Sequence, residues 1–315
     1  MSAARRGPTR RETLAGAGAA ALSAALGRAP AALQVPVGAH APESAPAGLP
    51  VKLAVKYGMV AGDAPMVDKL RLLARLGYDG VELDSPNGYA RDEVLRARDA
   101  SGIAIHGVVD SIHWSVRLSD PDPAVRARAI DGLRTAIEDA HAYAGSSVLL
   151  VPGLVADAES ENAEQVRERS IEGIRAVLPR AAELGVRILV ENVWNGFCYD
   201  HDGPADQTAE RFAAYLDEIA SPWVGMYLDL GNHRKYGAVE QWVRTLGPRI
   251  VKLDVKDWSR ADGWTRIGEG DVGWPGVRAA LAEIGFTGWA TAEVAGGGEE
   301  RLADVLARMR EHLVG

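Results

Sequence analysis

From Val51 to the C-terminus, short apolar runs alternate with longer stretches whose apolar residues recur every three or four positions. A brief apolar run bounded by turn residues predicts a strand, and a three-to-four spacing predicts an amphipathic helix. The predicted strands are KLAVKYG (52–58), GVELD (80–84), IAIHGVV (103–109), SVLLVPG (147–153), RILVENV (187–193), VGMYLDL (224–230), IVKLDVK (250–256) and WATAEV (289–294). Helices are predicted between them, among others over 64–77, 122–145 and 162–185. In the last of these Val166, Ile171, Ile174, Val177, Leu178, Ala181 and Leu184 share one side. Gly77, Gly145, Gly185 and Gly285 are placed to close helices in the left-handed conformation. Eight βα units in about 265 residues predict an α/β fold of the (β/α)8 TIM-barrel type. The rival, a doubly wound open sheet, has no need of eight evenly spaced strands.

The first fifty residues read differently. Arg10 and Arg11 precede an Ala/Gly-rich run from about Leu14 to Leu26, then small residues near Ala29 to Ala32. That layout predicts an export signal of twin-arginine type over 1–32, hence a periplasmic or exported protein. A Pro/Ala-rich linker over 33–50 and a single barrel domain over 51–315 follow. An Ala-rich tail with chance arginines is the alternative. The run is too short to be a stable membrane span. A net charge of -8 argues against nucleic acid as a partner, and the single cysteine, Cys198, excludes an intramolecular disulfide framework. The oligomeric state stays open, a homo-oligomer included.

Candidate chemistry sits late in the strands, where a barrel of this kind places its active site. In VKLDVKDW (251–258), Lys252, Asp254 and Lys256 share one face of a strand otherwise apolar. Glu191, Asp229 and Glu293 end other apolar runs in the same way. Four carboxylates converging on one mouth need a cation or shared protons. Oxygen-only ligands favour Mn2+ or Mg2+, with Co2+ a further candidate, over Zn2+. For any one of these acids the competing assignment is a salt bridge to a barrel lysine or arginine.

The strand-five Glu, the DxGN of Asp229 to Asn232, the VKD of strand seven and the strand-eight Glu resemble the xylose isomerase-like TIM-barrel superfamily, in its sugar phosphate isomerase/epimerase branch. GEGDVGWPGVRAALAEIGFTGWATAEV is similar to that family's C-terminal signature, and the likeness covers nearly all of 51–315. The resemblance implies that Glu191 and Glu293 bind a metal and flank the substrate as proton acceptor and donor, with Asp229 as third ligand. The family's fourth ligand is a His in HxKD, where this chain has Asp254. Many members have a further His where this chain has Asn232. A carboxylate at Asp254 raises the ligand charge from about minus three to minus four, which Lys252 and Lys256 are placed to offset, and these lysines, with Asn232, are also candidate substrate contacts. Alternatively Asp254 pairs with a lysine and touches no metal.

Lys56, Glu82, Asp84 and His106 are further candidate substrate contacts, and His113, Trp114 and Trp194 are placed to wall a sugar pocket, ordinary loop packing being the other reading. GEGDVG (268–273) fits GxGxxG, but no strand runs into its first Gly and Asp271 would repel a pyrophosphate, so no nucleotide is expected. The expected activity is a metal-dependent isomerase or epimerase of a sugar or keto-sugar, working by proton abstraction through an enediolate. A lyase releasing the aglycone of 3-keto-glycosides and a non-catalytic sugar-binding barrel are the alternatives. The superfamily's endonuclease branch is disfavoured, because its three-metal set needs many His ligands and this chain has seven histidines.

Overall fold

The computed structural model describes residues 48–315. The expected export signal (1–32) and nearly all of the expected linker (33–50) lie outside the described residues.

All eight expected strands form: β1 (Lys52–Lys56), β2 (Gly80–Ser85), β3 (Ala104–Asp110), β4 (Ser147–Leu150), β5 (Arg187–Glu191), β6 (Val224–Asp229), β7 (Ile250–Val255) and, after a hairpin of β8 (Asp257–Ser259) and β9 (Gly263–Thr265), β10 (Trp289–Ala292). β1 to β7 and β10 close a parallel barrel in the order β1-β10-β7-β6-β5-β4-β3-β2. β8 and β9 pair antiparallel outside it. The helices are α1 (Met66–Leu76), α2 (Arg91–Ser101), α3 (Pro123–Ala142), α4 (Ala163–Leu184), α5 (Glu210–Ile219), α6 (Leu230–Arg234), α7 (Val239–Leu246), α8 (Trp274–Glu283) and α9 (Glu299–Met309). Among the described residues no helix is long and apolar enough to cross a membrane.

Local chemistry sets the helix ends. Asn162 and Gln165 form a reciprocal capping box on α4, and Asp122 caps α3 just ahead of Pro123. Gly77, Gly185 and Gly285 are left-handed as expected, but after α3 the left-handed residue is Ala144, not Gly145. Gly145 is needed for another reason: a Cβ there would lie 3.1 Å from the backbone of Gly107.

The main apolar core fills the space between barrel and helices, whereas the barrel interior has only a small apolar cluster of Leu149, Leu189 and Tyr227. Charged and polar side chains occupy the rest, a departure from the branched aliphatic layers usual in this architecture. Two irregularities tune them. Val81 pairs with Ile105 and Glu82 with Gly107, leaving His106 as an extra residue, and Val251 is likewise unpaired between β6 and β7. Such bulges re-aim side chains along a strand.

Candidate active site

Glu191 ends β5, Asp229 ends β6, Asp254 lies in the last turn of pleat of β7, and Glu293 follows β10. Register explains their convergence, since Asp229 pairs with Asp254 and Thr291, two residues before Glu293, pairs with Asp254 from the other side. One carboxylate oxygen from each of the four lies within 4.8 Å of the others.

Asp229 is the most firmly held. Its backbone and that of β5 are joined through Asn192, whose Oδ1 accepts from Asp229 N–H at 2.8 Å while its Nδ2 donates to Asp229 O at 2.9 Å. Asp229 Oδ1 accepts the Asn232 N–H at 2.6 Å as the cap of α6, which aims Oδ2 at the mouth. The Asn232 amide donates to Asn192 O at 3.0 Å and to Glu191 Oε1 at 3.3 Å. His233, its neighbour, is buried against Trp242 and faces away from the carboxylates.

Two lysines stand among the acids. Lys56 Nζ donates to Glu82 Oε2 at 2.5 Å, lies 3.1 Å from Asp254 Oδ1 and sits 4.8 Å from the Tyr227 ring centre. Lys256 Nζ lies 2.9 Å from Asp229 Oδ2 and 2.6 Å from Glu293 Oε2. Burial opposes the charge of both lysines, yet Asp254 and Glu82 around Lys56, and Asp229 and Glu293 around Lys256, hold both ammonium groups well above their ordinary pKa. The acids diverge. Burial and then Glu293 push Glu191 well above the usual carboxylate range, and burial lifts Asp254 in the same way. For Glu293 burial is outweighed by Lys56 and Lys256, which hold it below that range.

Glu82, His106 and Lys252, expected as substrate contacts, support the site from beneath and do not line its cleft. Lys252 donates to His106 Nδ1 and to its carbonyl, each at 2.8 Å. His106 Nε2 meets Thr291 Oγ1 at 3.2 Å, Thr291 meets the Tyr227 hydroxyl at 2.7 Å, and that hydroxyl donates to Glu82 Oε2 at 3.2 Å. One donor direction satisfies every link: imidazole to Thr291, Thr291 to Tyr227, Tyr227 to Glu82. The chain ends on Lys56 and thus on Asp254. Lys252 faces inward like Asp254 but lies two residues, about 6.6 Å, lower along the barrel.

Above the carboxylates a cleft of about 250 Å3 is lined by Trp114, Glu191, Val193, Trp194, Asn232, Lys256, Trp264 and Glu293. Trp194 stacks on Trp264 with ring centres 5.1 Å apart, and Trp114 and Trp264 remain about half exposed, at 49% and 51%. His113 lies behind Trp114. Its Nδ1 accepts the Val151 N–H at 3.2 Å, so its proton is on Nε2, and burial pushes its pKa down to about 3. Asp84, at the end of β2, is exposed.

Sequence reasoning missed Tyr227, Thr291, Asn192, Asp257 and Trp264. Tyr227 and Thr291 carry a usable signal, since each lies two residues before a site carboxylate on the same strand face. Asp257 carries none. Fully buried, its carboxylate accepts from the N–H groups of Trp258, Gly268 and Val272 and from the Trp274 indole, pinning the GEGDVG loop behind the β8–β9 hairpin.

The donor set fits a divalent cation. Asp254 Oδ2 is buried with no polar partner, and Asp229 Oδ2, Asp254 Oδ1 and Glu293 Oε2 face only two lysine ammonium groups, so four carboxylates against two lysines leave a negative excess that a divalent ion would offset.

The profile of the Xylose isomerase-like TIM barrel family matches residues 70–312. L-ribulose-5-phosphate 3-epimerase of Salmonella paratyphi C is 25% identical over 236 residues, 70% of this chain and 79% of the relative. Among solved structures, D-psicose 3-epimerase superposes with a TM-score of 0.68 at 20% identity, covering 84% of this chain and 100% of the other. The 3-keto-D-glucoside 4-epimerase from E. coli superposes with a TM-score of 0.67 at 15% identity, covering 83% and 99%.

Proposed function

The chain belongs to the xylose isomerase-like TIM barrel family, and from that membership and the geometry of its mouth we propose that it is a sugar epimerase or isomerase. The reaction is proton transfer at a carbon beside a carbonyl, carried out by Glu191 and Glu293. The observation that carries this is geometric: Glu191 and Glu293 both line the cleft, and each brings a carboxylate oxygen within 4.8 Å of Asp229 and Asp254. Two carboxyls on one cleft supply a proton acceptor and a proton donor.

Glu191, Asp229, Asp254 and Glu293 would hold the cation, for which oxygen-only donors favour Mn2+, with Mg2+ or Co2+ able to substitute. When bound, it supplies Lewis acidity that polarises the substrate carbonyl and acidifies the adjacent C–H. Glu293 takes that proton, leaving an enediolate, and Glu191 returns one from the other carboxyl. Trp114, Trp194 and Trp264 exclude water from one side of the ring, and the Asn232 amide keeps Glu191 oriented.

The relatives named above are epimerases of ketose phosphates, free ketoses and keto-glucosides, which supports a ketose or 3-keto-glycoside as substrate. A second space of about 730 Å3 adjoins the cleft and shares Lys256, Trp264 and Glu293 with it. That extra room favours a glycoside over a single ring, and with it a second reaction from the same carbanion, elimination of the aglycone. The arginine pair and Ala-rich run of residues 1–32 support export, where a free sugar or glycoside is a more available substrate than a sugar phosphate.

The test is incubation with Mn2+ in deuterium oxide of ketoses and of 3-keto-glucosides, followed by NMR. Solvent deuterium at the carbon beside the carbonyl, together with an epimer, is expected. An aldose without deuterium would replace proton transfer by a hydride shift, and released aglycone would favour elimination.

A further inference from the structure

The oxygens that a metal would take are already in contact with a cation. Lys256 Nζ touches Asp229 Oδ2 and Glu293 Oε2, at 2.9 and 2.6 Å, and those oxygens are buried and have no well-directed hydrogen bond. The other Asp229 oxygen is committed to the Asn232 N–H. An ammonium and a divalent ion cannot both hold one pair of oxygens at contact distance, because their mutual repulsion in a buried site is large.

The two lysines of the mouth differ in their freedom to yield. Lys56 is anchored from below by Glu82 and the Tyr227 ring and does not line the cleft. Lys256 lines both the cleft and the adjoining 730 Å3 space. Its ammonium already lies 5.5 Å from the Trp264 ring centre, an aromatic face suited to receive a displaced cation.

We propose that Lys256 is a built-in counter-ion for Asp229 and Glu293, that a divalent cation must displace it toward Trp264 to load, and that Lys256 thereby sets the metal affinity of the site. This rests on the proposed function only in taking the four carboxylates to be metal ligands. Displacement carries the ammonium into the space where a substrate oxygen would lie, so loading the metal also delivers a positive charge to the substrate side of the cleft.

The experiment is calorimetric titration of Mn2+ into chelator-stripped full-length protein, wild type against Lys256→Met, with Lys256→Gln as a second neutral variant and circular dichroism to confirm folding. Removing the competing ammonium should tighten Mn2+ binding by about tenfold or more. Equal or weaker binding in both folded variants overturns the proposal, as does an absence of Mn2+ binding in all three proteins. Wild-type protein supplies a measurement independent of any variant: acetic anhydride labelling of Lys256, read by mass spectrometry, should rise several-fold on adding Mn2+, and unchanged labelling counts against displacement. The deuterium experiment on substrate is independent of all of these, so loss of the metal competition and loss of the epimerase assignment are separately visible.

Discussion

Glu191 and Glu293 differ by position alone. Lys256 touches Glu293 Oε2, whereas Glu191 Oε1 meets the Asn232 amide, and in the proposed reaction the first is the base and the second the acid. Glu293→Gln should lower kcat by about 10^2 to 10^4 and abolish deuterium incorporation. Glu191→Gln should lower epimer formation to a similar extent while leaving exchange of the original C–H with solvent, because Glu293 can still remove and return a proton on its own side. NMR of substrate recovered from deuterium oxide separates the two outcomes. Lys56 has a structural debt as well as an electrostatic one. Lys56→Met strands Glu82 and Asp254 with no facing cation, which should cost about 3–5 kcal/mol in chemical denaturation. A Lys56→Met, Asp254→Asn double variant should recover part of that loss, since one of the stranded charges is gone.

At the level of elements, the alternation of apolar runs and amphipathic stretches was enough to mark every barrel strand, because a strand buried on both faces has to be apolar wherever it is not functional. The same logic exposed the four acids: Glu191, Asp229, Asp254 and Glu293 interrupt runs that otherwise have no reason to be polar. What the sequence pattern lacks is depth and local irregularity. Nothing in IAIHGVV marks His106 as the extra residue of a bulge, so its side chain could not be placed beneath the mouth and against Lys252. Nor does a short polar stretch reveal that Asp257 will collect four N–H donors from residues up to seventeen positions away. The β8–β9 hairpin that presents Trp264 depends on that carboxylate. Asp257→Ala should unpair several buried N–H groups at a cost of at least about 3 kcal/mol. It should also speed amide exchange at Gly268 and Val272 and weaken substrate binding more than kcat, because Trp264 loses its support while the acids keep theirs. Hydrogen exchange with mass spectrometry reads the first effect and steady-state kinetics the second.

Over the whole molecule, two buried groups near the mouth pull the pH dependence of stability in opposite directions. Burial raises Asp110 to about 7, against an unfolded value of about 3.9. Between those values the folded chain holds a proton that the unfolded chain has lost, so stability falls as pH rises from about 4 to about 7. His113 behaves in reverse. With a folded pKa of about 3, it is neutral in the fold where the unfolded chain is protonated, and stability rises with pH from about 3 to about 6.5. From about pH 4 to 6.5 the two slopes oppose each other, which leaves their joint contribution nearly flat. Asp110→Asn removes one of them while keeping an oxygen for the Ile112 N–H. The variant should lie within about 0.5 kcal/mol of wild type near pH 4, where Asp110 is protonated in the fold and about half protonated in the unfolded chain. It should then gain steadily on wild type and be more stable by up to about 4 kcal/mol at pH 8. Urea midpoints measured at intervals from pH 4 to 8 check this directly, and taking the difference between the two proteins cancels every other titrating group that the substitution leaves alone. A constant offset across the range would mean that Asp110 keeps an ordinary carboxylate pKa in the fold and that the Asn acts through packing.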